Sequence, residues 1–174
     1  MSVVTLDQAK QHVNIGTGTS DAELQAFVDS CEAAVSRHVG PLSPTAVTAE
    51  VSGGGTVLIL PTTPAISLTT VTDDAGTSVS TASLHVSPDG VVTYIGGGTF
   101  VAAWYTVTYQ AGRTSAPDDL VLAVLELLRH KWSASQRGGK GGQAAMLANT
   151  IPGAAYTFPF AVTELMAPHM RVGV

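Results

Sequence analysis

At 174 residues the chain suits one domain, and a fold of this size buries about 70% of its extended surface without needing staples. A formal charge of -5 argues against a general nucleic-acid binder, whose lysines and arginines must neutralise phosphates. Only 12% of residues are charged while 45% are hydrophobic, a balance unusually neutral for the surface of a free monomer. The lone cysteine, Cys31, sits at a core position of a predicted helix, so an intrachain disulfide is impossible and a reducing compartment is the simpler expectation. No basic, apolar leader opens the chain and no apolar run reaches about eighteen residues, so neither secretion nor a membrane span is expected.

Thr5 with Gln8 makes a capping box for a short helix near 5–13, in which Leu6, Ala9 and Val13 form one apolar stripe. Ser20 with Glu23 is a second such box. Leu24, Phe27, Val28, Cys31, Ala34, Val35 and His38 follow it at helical spacing until Gly40-Pro41 stops a helix over 20–39. From about 46 to 110 the period drops from 3.6 to 2 and β-branched residues dominate. Strands are expected at 47–51, 56–60, 67–73, 77–80, 84–87, 91–95 and 100–109. Gly53-Gly54-Gly55, Asp74-Ala75-Gly76, Pro88-Asp89-Gly90 and Gly96-Gly97-Gly98 punctuate them, which favours antiparallel hairpins over parallel crossovers.

The most apolar helical run is PDDLVLAVLELLRHKWS, predicting a helix over 117–133 with Leu120, Val121, Val124, Leu125, Leu128 and Trp132 on its stripe. Ser115 and Asp118 suggest a capping box, Pro117 lies in the first turn, and Asp118 and Asp119 suit the positive end of the dipole. Such a helix nucleates either a core or an oligomer interface, and the pattern alone leaves both open. Gly138 to Gly142 reads as a flexible linker. Beyond it an apolar arm, 143–174, carries Met146, Leu147, Ile151, Tyr156, Phe158, Phe160, Leu165 and Met166, with a short helix near 160–167. An apolar arm behind a glycine hinge needs something to lie against. The expected class is therefore α+β: a small helical bundle with an inserted antiparallel β block, one domain over 1–137, and a C-terminal docking arm.

Sites for chemistry are hard to assemble. His12, His38, His85, His130 and His169 are scattered and make no metal-ligand spacing, so no metal or cofactor is expected. Around Lys140 the glycines lack the Ser or Thr and the preceding strand of a phosphate loop. Asp73-Asp74 would point to opposite faces of a strand, Asp118-Asp119 are explained by capping, and no GxSxG occurs. No catalytic residue is therefore assigned. Arg129, Lys131, Arg137 and Lys140 fall in a stretch, 127–163, that contains no acid. They read either as a helix C-terminus with a solvated loop or as a contact for an acidic partner or DNA backbone.

The order of segments resembles the head-tail connector (adaptor) proteins of long-tailed double-stranded DNA bacteriophages. The matching pieces are TLDQAKQHV, SDAELQAFVDSCEAAVSRHVG, LPTTPAISLTTVTDDAG, VTYQAGRTSAPDDLVLAVLELLRHKW and FPFAVTELMAPHMR, which span most of the chain in the family's order. The Gly/Thr-rich β block and HKWSASQRGGKGG depart from the usual pattern. The resemblance implies a non-catalytic virion protein at the neck, made in the host bacterial cytoplasm. It also implies a ring of copies of itself, commonly a dodecamer, below the portal protein, receiving a stopper or tail-completion protein and letting double-stranded DNA pass. In that setting the 120–132 stripe would pack subunit to subunit and the arm would embrace a neighbour or the portal. An acidic balance would keep sliding DNA from sticking. The competing expectation is a β-rich carbohydrate- or protein-binding module displaying Tyr94, Trp104, Tyr105 and Tyr109, with Trp104 and Tyr105 facing opposite ways.

Overall fold

A computed structural model describes residues 2–138 and 158–170. The chain divides into two compact units, one from Met1–Val39 with Ala116–Val174 and the other Gly40–Ser115. The class is α+β, with helices and antiparallel sheets.

The first unit is helical among its described residues: α1 (Leu6–His12), α2 (Asp21–Val39), α3 (Asp118–Gly138) and α4 (Phe160–Met166), the last followed by a 3-10 turn, Ala167–His169. The capping box at Thr5 is formed: its hydroxyl accepts from the Gln8 N–H and the Gln8 side chain accepts from the Thr5 N–H. Ahead of it, Glu32 Oε1 accepts from Ser2 Oγ at 2.7 Å, Val3 N at 2.8 Å and Val4 N at 3.0 Å, which holds the leading segment down and leaves Val4 buried. Lys10 pairs with Asp21 at 2.6 Å and ties α1 to α2. On α2 the buried residues are Leu24, Val28, Cys31, Val35 and Val39, a stripe at intervals of three and four. Phe27 and His38 flank it instead of joining it.

α3 starts differently from the expectation. The helix begins at Asp118, and the Pro117 carbonyl accepts from Leu120 N at 3.0 Å and Val121 N at 3.1 Å. Ser115 therefore stands too far upstream to cap, and Pro117 occupies the cap position. The Asp119 carboxylate does part of that work, accepting from Leu120 N at 2.8 Å. The far end also moves, since α3 continues to Gly138 where a stop near 133 was expected. Nothing before the glycines breaks it: Ser133, Ala134, Ser135 and Gln136 all tolerate a helix.

The second unit holds two antiparallel sheets. Strands β1 (Thr45–Ser52), β7 (Trp104–Ala111), β3 (Ala65–Asp73) and β4 (Ser78–Val79) lie in that order in one. β2 (Val57–Ile59), β6 (Val91–Tyr94) and β5 (Leu84–Val86) form the other. Two of the expected hairpins form, β3–β4 across Asp74-Ala75-Gly76 and β5–β6 across Pro88-Asp89-Gly90. Two do not. β1 pairs with β7 from Thr45↔Ala111 to Ser52↔Trp104, not with β2, and the glycine triplets carry the chain from one sheet to the other. They meet near a bridge between Gly55 and Phe100, where Gly54 N donates to Phe100 O at 2.6 Å. A Cβ on Gly53 would stand 2.1 Å from the Ala102 carbonyl oxygen and 2.7 Å from the Tyr105 ring, so a side chain is excluded there.

The last strand is also shorter at its start than expected, beginning at Trp104 rather than at residue 100. Ala102 N donates to the Tyr105 hydroxyl at 3.2 Å, and Val101 is 84% exposed, so the chain turns between Phe100 and Trp104. From there alternation is strict: Tyr105, Val107, Tyr109 and Ala111 are buried and the residues between them are not. They join Val51, Leu58, Leu60, Val71, Val92 and Phe100 in one cluster that draws on both sheets. Within it the Tyr109 hydroxyl donates to Thr62 O at 3.1 Å and accepts from Thr62 N at 3.0 Å, closing both backbone groups of one residue.

Candidate interaction surface

Along α3 the buried face is Leu120, Ala123, Val124, Leu127, Leu128 and Trp132. Of the stripe read from the sequence, Val121 and Leu125 are half-buried, so the buried arc is centred slightly to one side of it. Trp132 meets Phe27 edge-on at 5.7 Å between ring centres, and Lys131 Nζ reaches Ser30 Oγ at 3.1 Å. Much of this face is thus satisfied within the chain. What remains outward is Leu122, 42% exposed, on the side of Val121 and Leu125.

The arm residues fall into three groups. Met146, Leu147, Ile151 and Tyr156 lie outside the described residues, as does Lys140. Met166 is buried together with Val162, because α4 packs on α3, and Leu165 is half-buried. Phe158 stands edge-on to His38 at 4.8 Å, whereas Phe160 is 79% exposed. His169 Nε2 meets Asp119 Oδ2 at 2.6 Å and fastens the turn after α4 to the start of α3. That hydrogen bond, opposed by burial and aided by the Leu120 N–H, holds the Asp119 carboxyl below the usual aspartate range.

Of the basic residues singled out, Arg129 is exposed and pairs with Glu126 on its own helix at 2.9 Å. Lys131 lies two positions on, over α2, and Arg137 is in the last turns of α3. The sequence reading placed these residues together. The helix sends Arg129 and Lys131 to different sides. It missed Arg37, His38 and His130, which join Lys131 around a cleft between α2 and α3. No local signal marks this grouping, because it depends on how the antiparallel α2 and α3 are set against each other: Phe27 meets Trp132 and Ser30 meets Lys131.

The aromatic platform of the competing reading does not form. Tyr105 and Tyr109 are buried and Tyr94 stacks on Phe100 at 4.6 Å, which leaves Trp104, 56% exposed, without a coplanar neighbour from that set. Cys31 is fully buried, and burial pushes its thiol up to about 11, with Lys131 partly opposing, as suits an inert core residue. Among the described residues no three His, Cys, Asp or Glu side chains converge as metal ligands, and no helix is long and apolar enough to cross a membrane.

The model of the head completion protein family matches residues 2–172. No curated protein matches the chain. Among solved structures, the fold is similar to a chain in the neck of an empty gene transfer agent (GTA) particle computed with C6 symmetry. The TM-score is 0.71 at 22% identity, over 99% of this chain and 91% of that one. Chains in the virion of the native gene transfer agent particle and in its neck computed with C12 symmetry each give a TM-score of 0.65 at 22% identity, with the same coverage.

Proposed function

This chain belongs to the head completion protein family, a family of structural virion proteins rather than enzymes, and from that premise we propose that it builds the head-tail neck of a phage-like particle. Copies of the chain assemble into a ring, a dodecamer, beneath the portal protein. The ring receives a stopper or tail-completion protein on its other side, and double-stranded DNA passes through its bore. The observation that carries the reading is the likeness in fold to a neck chain over 99% of this chain, joined to a family match of nearly the same extent.

The surface supports it. Ile59, Ile95 and Val101 in the β unit, and Leu122 and Phe160 in the helical unit, are large apolar side chains left in water. Each is unremarkable alone, but together with so few charges they suit faces that become covered on assembly. Val121, Leu122 and Leu125 contribute to the contact between subunits. The arm, with Phe160 at its described end, reaches a neighbour or the portal. The net charge of -5 lets DNA slide without being held.

Cryo-microscopy of particles made with and without the gene tests the proposal. The expected result is ring density of this fold at the neck of complete particles, and filled heads without tails when the gene is removed. Tailed, infective particles lacking the protein would overturn it. A chain carrying Leu122→Asp is expected to remain folded and to fail to enter particles.

A further inference from the structure

The cleft between α2 and α3 encloses about 470 Å³, within the roughly 300–1,000 Å³ of ordinary ligand clefts. Its walls carry Arg37, His38, His130 and Lys131 together with Ser30, and no acid lines it. Its apolar part is Ala34, Leu127, Phe158 and Pro159. The concentration of base is local, because the chain as a whole has 8 Lys and Arg against 13 Asp and Glu. It arises from packing: α2 and α3 run antiparallel, with Phe27 against Trp132 and Ser30 against Lys131, so Arg37 and His38 are brought over His130 and Leu127. Among the described residues no carboxylate pairs with Arg37, which is exposed, or with His130. The Phe158 ring against His38 fixes one wall.

We propose that this cleft is a docking site for an acidic peptide segment of a partner protein, one that places a carboxylate between Arg37 and Lys131 and an apolar side chain on Leu127 and Phe158. A guanidinium-bearing and an ammonium-bearing residue lining one concave site favour a carboxylate there. Duplex DNA would use the cations but has nothing to place on the apolar wall, and it requires an extended basic face that a chain of charge -5 does not offer. The chain's own residues 127–163 contain no acid, so a carboxylate in this cleft does not come from that stretch. The inference names the chemistry of a partner within the neck reading, yet its test uses the isolated chain. A failure here leaves the position in the particle untouched, and the reverse also holds.

The experiment is selection of a random dodecapeptide display library on the immobilised full-length chain, in parallel with the Arg37→Glu/Lys131→Glu variant. Because Lys131 also bonds Ser30, circular dichroism of the variant and of Arg37→Glu alone accompanies the selection. The expected outcome is enrichment, on the native chain only, of peptides with Asp or Glu beside Leu or an aromatic residue. Changing the acid to its amide, or Arg37 to Glu, weakens a selected peptide about tenfold or more, and raised salt weakens it further. No enrichment, enrichment of acid-free sequences, equal recovery on Arg37→Glu, or displacement of the peptide by a short DNA duplex at matched charge would each overturn the proposal.

Discussion

Shortening Leu128 to alanine, with Leu122→Ala as its partner experiment, separates the core role of α3 from its outward role. Leu128 is fully buried, and its truncation removes about three carbon groups worth roughly 0.8 kcal/mol each in transfer. The cavity left behind adds to that, for a total of about 2–5 kcal/mol. Leu122, 42% exposed, loses less than about 0.5 kcal/mol. Urea unfolding followed by the emission of Trp132 measures the difference, in a Trp104→Phe background so that the single remaining tryptophan reports the helical unit. With a slope of about 1–3 kcal/mol per molar, the midpoint for Leu128→Ala falls by roughly 1–2 M, and that for Leu122→Ala hardly moves. Equal midpoints for the two variants, or a loss under about 0.5 kcal/mol for Leu128→Ala, would refute the assignment of this face to the core.

In the β unit, Tyr109→Phe keeps the ring and strands both backbone groups of Thr62, so it is expected to cost about 1–3 kcal/mol by denaturant unfolding, with Thr106→Val on the outward face of β7 as a near-neutral control. At the start of α3, the depressed Asp119 carboxyl contributes stability that is full above the ordinary aspartate range and disappears as pH falls through and below it. His169→Ala should therefore be less stable than the native chain at about pH 5.5, by less than about 1 kcal/mol for so exposed a pair, and the gap should narrow as pH falls through and below the ordinary aspartate range. A gap that widens in acid would contradict the assignment.

Much of the helical unit was legible because its signals are local. The Thr5 box, the stripe from Leu24 to Val39 and the stripe from Leu120 to Trp132 each repeat within a turn or two of helix, so they need no knowledge of the partner. The β unit was legible only where a turn joins neighbours, at Gly76 and Gly90. The pairing of β1 with β7 leaves no local mark, since hairpin chemistry at Gly53-Gly54-Gly55 looks the same whether the chain folds back or crosses to a second sheet. For the same reason the basic residues were grouped along the chain, Arg129 with Lys131, although space groups Arg37 on α2 with Lys131 on α3. Buried Met166 shows the limit of composition. A run poor in charge reads alike whether it covers its own neighbour or another molecule.

Thr45 at the beginning of β1 stands opposite Ala111 at the end of β7, and Gly112 N then donates to Pro64 O at 2.7 Å. Paired residues in an antiparallel ladder lie only about 5 Å apart, so this unit starts and finishes at nearly one point. Because those ends are fastened to each other, residues can be added to or removed from the loops between them without moving the points where the chain enters and leaves the sheet.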